Sequence, residues 1–264
     1  MKIVVCVKQV PDTADIRWTE NNTMVREGVE SIMNPFDEYA VETAVRIKEA
    51  NPDTVITVLT MGPPQAKDVL KRAVAMGADE AILVSDKKFA GADTWATSHT
   101  LAKAIKEKVG DFDLIICGQY AIDGDTAQTG PGIAEQLGLP QVTYAKEVEF
   151  TGGSTVVIKR EVEDGIQKVE MTLPGLTCML KCDYEPRMPS IKGTMKANRT
   201  PIAEYGMEDL GLDPENVGIK GSPTFVSKAF RPEQRNAGEI INAADAKEAA
   251  RTLLEKLKGD KVLV

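Results

Sequence analysis

The sequence predicts an α/β fold of three layers, in which helices cover both faces of a mostly parallel, doubly wound β-sheet. The first half of the 264-residue chain alternates short apolar segments with amphipathic segments of helical length. Strands and helices that alternate in this way form parallel sheets, because each crossover helix packs back onto the sheet. After Pro140 the pattern changes to alternation of polar and apolar residues, which is typical of strands with one exposed face. We therefore expect an antiparallel hairpin as an extension of the parallel sheet.

The strands and helices of the first half can be located individually. Asn34 and Pro35 are typical of a helix N-cap and a first helical residue. Pro63 and Pro64 open a second helix, and Gly77 is typical of its C-terminal end. Two further helices are predicted after Gly91–Thr94 and from Pro131. The four strands are predicted over residues 2–9, 55–60, 81–84 and 114–117.

The second half of the chain is predicted to hold the hairpin and a C-terminal arm. The hairpin spans about residues 142–174, and Asp164 and Gly165 form its two-residue turn. The segment that follows is irregular and holds one amphipathic helix, with an apolar face formed by Ala246, Ala249, Ala250, Leu253 and Leu257. Since a long segment with a single helix buries little core, residues 184–264 are expected to dock on another subunit, the alternative being an unstructured tail. Residues 1–183 are then the ligand-binding domain.

Composition and charge exclude several classes of function. The formal net charge of −8 and the lack of basic stripes with interleaved aromatic residues argue against a nucleic-acid partner. No apolar run reaches the length of a membrane span, and no signal segment precedes the first strand, so the expected location is the cytoplasm. The cysteines Cys6, Cys117, Cys178 and Cys182 lack the paired spacings of a zinc site, and His99 is the only histidine. No metal site is therefore expected.

The loop of residues 118–130 is the most informative stretch of the chain. It joins the apolar run 114–117 to a helix that starts near Pro131, and it is rich in small residues. The free N–H groups and the dipole of a helix start favour an anion, and small residues allow the backbone to approach a ligand. Crevices beyond the C-terminal ends of strands are the preferred ligand sites of such sheets. The loop is a candidate phosphate site, the alternative being a strand–helix connection without a ligand.

The sequence shows no catalytic machinery of its own. Cys6–Pro11 stand at the end of the first strand, in the place where a nicotinamide-binding Rossmann fold carries its glycine fingerprint. The chain has no phosphate-loop lysine motif and no nucleophile elbow, and His99 is expected to be a solvated helix residue. Asp123 and Asp125 are spaced to cap a helix or hold loop amides rather than to act as an acid–base pair. We therefore predict no catalytic residue, and any chemistry would depend on a bound cofactor.

Several separated motifs resemble the beta subunit of electron-transfer flavoprotein. They are Val4–Asp12, Met33–Asp37, Met61–Pro63, Ala75–Asp79 and Gln119–Thr129. The predicted hairpin adds the signature-like residues Arg160, Glu163, Asp164, Gly165, Gln167, Val169 and Pro174, although Thr177 stands where that signature prefers an aliphatic residue. Glu185–Arg187 and Ile191–Ala197 are similar to the partner-recognition loop of the family. The resemblance covers nearly the whole chain.

The resemblance implies a heterodimer with an alpha subunit that carries one FAD, and an adenine-nucleotide-binding fold in this chain. In the respiratory branch of the family the nucleotide is a structural AMP, and in the electron-bifurcating branch it is a second FAD. Phe89–Thr94, Gly124–Gln128 and Gly221–Thr224 resemble the bifurcating branch. Gly124 and Ala127 are also small enough to leave room for a pyrophosphate. The bifurcating type is therefore expected, and the respiratory type is the alternative.

In the bifurcating type, NADH passes a hydride to the FAD of the beta subunit, and the two electrons then leave separately. One electron goes through the alpha-subunit FAD to an acceptor such as an acyl-CoA dehydrogenase, and the other goes to ferredoxin or flavodoxin. The resemblance thus implies an electron-transfer protein whose reaction with NADH requires the alpha/beta complex. A third interpretation, which the strand–helix pattern of residues 1–140 permits, is a nucleotide-binding regulatory module of the universal-stress type.

The same resemblance assigns the nucleotide site residue by residue. Backbone around Cys6 and Met61 is expected to hold the adenine, Asn34 and Asp37 to lie beside the ribose, and residues 123–129 to hold phosphates. The predicted cofactor-binding residues are Cys6, Asn34, Pro35, Phe36, Asp37, Met61, Asp93, Thr94, Gly118, Gln119, Ala121, Ile122, Asp123, Gly124, Asp125, Thr126, Ala127, Gln128 and Thr129.

Two further pairs of residues are assigned by the resemblance. Asp93 and Thr94 are expected near the flavin or the approach of the nicotinamide. Ile191 and Met195 are expected to contact a dehydrogenase of the acyl-CoA type, with loop anchoring as the alternative role of each.

Overall fold

The computed structural model describes residues 1–12, 31–228 and 238–263, and it confirms the predicted α/β fold. The chain divides into two compact units, Met1–Ser227 and Lys228–Val264. The strands are β1 (Lys2–Cys6), β2 (Gln9–Pro11), β3 (Ser31–Met33), β4 (Val55–Met61), β5 (Glu80–Val84), β6 (Leu114–Gly118), β7 (Gln141–Phe150), β8 (Thr155–Val162), β9 (Gly165–Thr172), β10 (Gly175–Met179) and β11 (Ile202–Tyr205).

Nine of these strands form one sheet in the order β11-β5-β4-β1-β6-β10-β7-β8-β9. Neighbours from β11 to β7 are parallel, and β8 and β9 continue the sheet in antiparallel fashion. The helices are α1 (Pro35–Ala50), α2 (Lys67–Met76), α3 (Thr94–Ala104), α4 (Thr129–Leu137), α5 (Ile191–Ala197) and α6 (Ala246–Gly259). A π-helical turn, Ile105–Val109, continues α3.

The two faces of the sheet bury separate hydrophobic layers. Along β1, Ile3 and Val5 pack with the apolar faces of α1 and α2, whereas Val4 packs with those of α3 and α4. This alternation follows from the two-residue period of a strand, which sends successive side chains to opposite faces. Full burial of each such side chain contributes about 1.5–3 kcal/mol. The central strands therefore read as continuous apolar runs, and the predicted three-layer arrangement results.

The structure corrects the predicted first strand and the predicted hairpin. The predicted strand 2–9 ends at Cys6, and β2 pairs with β3 in a separate antiparallel sheet. In the hairpin, Val162 pairs with Gly165, so Glu163 and Asp164 form the turn, one residue earlier than predicted.

The strand β10 was not predicted, and it lies between β6 and β7, parallel to both. All five of its residues are buried, so it lacks the alternation that marks the strands before it. The buried hydroxyl of Thr177 donates to the carbonyl of Val142 at 3.0 Å, which satisfies a polar group at this core position.

The segment after residue 183 contains more regular structure than one helix. Strand β11 pairs in parallel with β5 at the sheet edge, and α5 packs against α2. The functional division at residue 183 stays a prediction. In the second unit, α6 corresponds to the predicted amphipathic helix, and the side chain of Asp245 accepts hydrogen bonds from its first turn. Among the described residues, no helix combines the length and the apolar character needed to cross a membrane.

We predict that Gly130→Ala lowers the free energy of unfolding by about 1–3 kcal/mol. A methyl group at Gly130, in the first turn of α4, would overlap the buried Sγ of Cys178 on β10. Urea unfolding measures the loss, and Gly130→Ala combined with Cys178→Ala should recover part of it. Gly259→Ala, whose added methyl group meets nothing within 4 Å, is the control. Equal stability of the Gly130 and Gly259 variants would contradict this packing.

Candidate nucleotide-binding site

The sheet changes its winding direction at β1, and this creates a crevice between the ends of β1 and β6. From β1 the chain passes outward to β4 and β5, and it then crosses to β6 on the other side of β1. Ligands of open α/β sheets bind at such a switch point, beyond the carboxyl ends of the strands. Cys6 and Cys117 are partners in the register at this point. The predicted loop therefore starts at the crevice, one residue after Cys117.

Asn34 links the start of α1 to the loop after β6. It occupies the predicted N-cap position, but its side chain makes no capping hydrogen bond. Its amide Nδ2 donates to the carbonyl of Tyr120 and to Oδ1 of Asp37, both at 3.0 Å, and its Oδ1 accepts from the N–H of Ile122 at 3.2 Å. Asn34 therefore lies beside the crevice, and its side chain cross-links α1 to the loop instead of forming the predicted cap.

Asp37 is buried and joins three segments of the crevice. Its carboxyl accepts from Asn34, from the N–H of Lys8 at 2.7 Å and from the N–H of Gly118. Burial raises the pKa of Asp37 to about 7, although these hydrogen bonds favour the charged form. A side chain at Gly118 would overlap this carboxyl and the backbone of Phe36. A glycine at position 118 is what allows α1 to approach β6 this closely.

Lys8 is a site residue that sequence reasoning missed. Its Nζ forms an ion pair with Oδ1 of Asp123 at 2.6 Å, and the Asp123 side chain is only 4 % exposed. The two residues lie 115 positions apart in the chain, and a lone lysine after a strand carries no signal for such a pairing. The contact spans the crevice, because Lys8 follows β1 and Asp123 follows β6.

The loop between Asp123 and α4 has a backbone in which the sign of φ alternates. Asp125 and Ala127 adopt left-handed conformations, with φ of 50° and 54°, although such conformations cost a non-glycine residue on the order of 1 kcal/mol or more. The carbonyl of Ala121 accepts from the N–H groups of Gly124 and Asp125, which forms a turn. A side chain at Gly124 would meet nothing within 4 Å, so this glycine borders open space. Alternating backbone conformations of this kind turn N–H groups toward a common anion.

The start of α4 is tied to the start of α3. The hydroxyl of Thr94 donates to Oε1 of Gln128 at 2.9 Å, so two predicted residues meet here. Asp93 instead caps α3 by accepting from Ala96 at 3.0 Å, and its other oxygen accepts from the N–H and hydroxyl of Thr224. These hydrogen bonds hold the pKa of Asp93 below its usual value despite partial burial. Asp93 therefore anchors residues 222–224 beside the helix start.

The predicted adenine-side residues lie at the strand ends. Cys6 and Met61 end β1 and β4 and pack on the side of α3 and α4. A hydrogen bond with the Cys117 thiol, together with burial, raises the pKa of Cys6 well above its usual value, so the thiol stays protonated. Phe36, which follows the first helical residue Pro35, packs against Tyr120 in a tilted arrangement with ring centroids 4.2 Å apart.

Tyr144 is a second residue beside the loop that the sequence did not indicate, and it contacts Gln119. The buried amide oxygen of Gln119 accepts from the N–H of Tyr144 at 2.6 Å. Tyr144 is in a left-handed conformation (φ 59°) on β7 and is 44 % exposed, which is rare for an aromatic residue. The register of β7 shifts at this point against both β10 and β8. This bulge depends on pairing with two other strands, so the local sequence could not indicate it.

The predicted partner-binding residues lie near the opposite ends of the strands, where the strands begin. Ile191 and Met195 are on α5, and Gly193 between them packs against the carbonyl of Ala75 near the C-terminal end of α2. That end of α2 is next to the start of β5, far from the carboxyl ends of the strands. The predicted nucleotide-binding residues therefore lie at the carboxyl ends of the strands, and these two residues lie near the amino ends.

The family model for the electron transfer flavoprotein domain matches the sequence over residues 21–210. The chain belongs to the electron transfer flavoprotein family. The beta subunit of electron transfer flavoprotein from Megasphaera elsdenii is 46% identical over 271 residues, with all of both chains covered. The family resemblance inferred from the separated motifs is thereby confirmed.

Two further relatives in the electron transfer flavoprotein family are named for reductase complexes. Subunit CarD of the caffeyl-CoA reductase–Etf complex from Acetobacterium woodii is 48% identical over 259 residues, with 98% of each chain covered. The acryloyl-CoA reductase electron transfer subunit gamma from Anaerotignum propionicum is 40% identical over 264 residues, with 97% of this chain and 98% of that protein covered.

We predict that Asp37→Asn flattens the pH dependence of stability. The folded carboxyl has a pKa of about 7 against the usual 3.8, so folded protein holds a proton that unfolded chain has lost. The contribution of this group to stability is complete below about pH 4 and is lost as pH rises through about 7, by up to about 1.4 kcal/mol per pH unit.

Urea unfolding across that pH range measures the slope for the parent and for Asp37→Asn. Asp53→Asn, which removes a charge from an exposed position, is the control. The same slope in the parent and in Asp37→Asn would contradict the burial of this carboxyl as a proton-binding group.

Proposed function

We propose that this chain is the FAD-binding beta subunit of a bifurcating electron transfer flavoprotein, assembled with an alpha subunit that holds the other FAD. The observation that carries the proposal is the loop of residues 123–129 at the start of α4. It combines an open side at Gly124 with two left-handed residues, Asp125 and Ala127. A backbone of this shape beside a helix N-terminus suits a diphosphate.

The space beside the loop favours FAD over AMP. A flavin dinucleotide brings a pyrophosphate and a ribityl chain to the loop, whereas AMP brings one phosphate. Gly124 leaves open volume on one side, and Ala127 adds only a methyl group. The hydroxyls of Thr126 and Thr129 and the N–H groups of Thr129 and Gly130 in the first turn of α4 supply hydrogen-bond donors for phosphate oxygens.

Bound FAD would supply the redox chemistry, namely acceptance of a hydride from NADH and one-electron transfer to each of two acceptors. The chain's own residues bind and orient the nucleotide. Asn34 and Asp37 fix the loop to α1, and the Lys8–Asp123 ion pair joins the segment after β1 to the same loop. The protonated thiols of Cys6 and Cys117 add no charge near the site.

The acceptors follow from the proposed type and from the relatives. CarD and the acryloyl-CoA reductase subunit are named for reductases of CoA thioesters, which supports a flavin dehydrogenase of the acyl-CoA type as the acceptor beyond the alpha subunit. Ferredoxin or flavodoxin is the proposed second acceptor. We propose the cytoplasm as the location.

The complex purified with its alpha subunit tests the proposal by flavin stoichiometry and mass spectrometry of the released nucleotides. We expect two FAD per heterodimer and no AMP, together with reduction of the flavin by NADH. One FAD with one AMP would refute the proposal and favour the respiratory type, in which the nucleotide of this chain is structural.

We predict that Gly124→Ala and Gly124→Val reduce the FAD content of this chain without reducing its stability. The added side chain meets no protein atom within 4 Å at its Cβ, so folding tolerates it, but it enters the space assigned to the ligand. We expect the affinity for FAD to fall by about tenfold or more, or about 1.4 kcal/mol.

Equilibrium dialysis of deflavinated complex with FAD measures that affinity, and urea unfolding measures stability. Gly259→Ala in α6 is again the control. Unchanged FAD binding in Gly124→Val would show that the ligand does not occupy this side of the loop.

A further inference from the structure

The segment 184–187 is fastened along one face of α1. The Tyr184 hydroxyl hydrogen-bonds that of Thr43 at 2.7 Å, and the guanidinium of Arg46 lies 4.1 Å from the centre of the Tyr184 ring. The Tyr39 hydroxyl donates to Glu185 at 3.0 Å. Tyr39, Thr43 and Arg46 follow the three- and four-residue spacing that places side chains on one helix face.

Arg187 makes the strongest of these contacts. Its Nε and one terminal nitrogen donate to the two oxygens of Glu42 at 2.7 and 3.0 Å, and its terminal nitrogens donate to the two oxygens of Glu49 at 2.6 and 3.0 Å. The N–H of Arg187 also donates to Glu42 at 3.1 Å. Glu42 is almost fully buried, so this charge depends on its partner. The planar fork of arginine is suited to two carboxylates, and a lysine is not.

The residues that follow Arg187 expose an apolar patch. Met188, Ile191 and Met195 are 77 %, 85 % and 53 % exposed. The far end of the patch is fastened as well, since Nζ of Lys196 donates to the carbonyl of Ala78 at 2.8 Å. The patch therefore lies between two anchors: Arg187, which binds α1, and Lys196, which binds the carbonyl of Ala78 after α2.

We propose that Arg187 is a positioning residue, which holds this patch in the orientation that docks the flavin dehydrogenase. The inference rests on the proposed function, because it takes that dehydrogenase as the occupant. A surface held in its bound shape loses less conformational entropy on association, so the anchor strengthens docking without touching the partner. Lys192 on α5 forms no ion pair within the described residues, so we expect the surface that covers the patch to be apolar and to place a carboxylate opposite this lysine.

Binding of the intact alpha/beta complex to the acyl-CoA dehydrogenase that it reduces tests the role of Arg187. For Arg187→Lys we expect the Kd and the KM for the dehydrogenase to rise about tenfold, with kcat and NADH reduction of the complex unchanged. Glu49→Gln removes the exposed carboxylate that binds Arg187 and leaves the buried Glu42 paired. It should therefore raise the Kd by a smaller factor.

Arg72→Lys is the matched control. Arg72 donates to Glu38 of α1 at 2.7 Å and has a similar exposure to Arg187, but the carboxylate that it binds does not hold the segment 184–187. Its Kd should equal that of the parent complex. An unchanged Kd in both Arg187→Lys and Glu49→Gln overturns the positioning role. Absence of NADH reduction in the parent complex refutes the proposed function instead, and the binding measurement stays independent of it.

Discussion

The carboxyl of Asp37 joins three segments that meet at the crevice. It accepts from the N–H of Lys8 after β1, from Asn34 at the start of α1 and from the N–H of Gly118 at the end of β6. A buried donor that loses its acceptor costs about 1–3 kcal/mol, so each segment is held where the carboxyl lies. The position of the loop after β6, and hence the shape of the site, depends on this group.

Local patterns were sufficient to predict the helices, the loop and the four parallel strands of the first half of the chain, except that β1 ends at Cys6 and that β2 and β3 were not predicted. They were insufficient wherever a distant segment decided the outcome. A capping rule located Asn34, but the amide contacts Tyr120, 86 residues away, instead of the helix backbone. The ion pair of Lys8 with Asp123 and the insertion of β10 between β6 and β7 depend on pairings that no local period records.

The loop of residues 123–129 is held at both ends before any ligand arrives. The Asn34 amide and Lys8 hold the first end, and the Thr94–Gln128 hydrogen bond holds the second. Between these points the left-handed Asp125 and Ala127 retain conformations that an untethered loop would avoid. Strain kept by surrounding contacts is typical of preorganised binding sites, since the ligand then meets donors already in place.

Helix α1 forms part of the crevice and also holds the segment 184–187. Asp37 in its first turn belongs to the crevice, and Glu49 near its end holds Arg187. At 1.5 Å per residue these positions are about 18 Å apart along the axis. A helix of this length, packed on the sheet along its inner face, moves as one body, so the two sites keep a constant separation. If the patch docks the flavin dehydrogenase as proposed, one helix fixes both where that partner binds and where the loop after β6 lies.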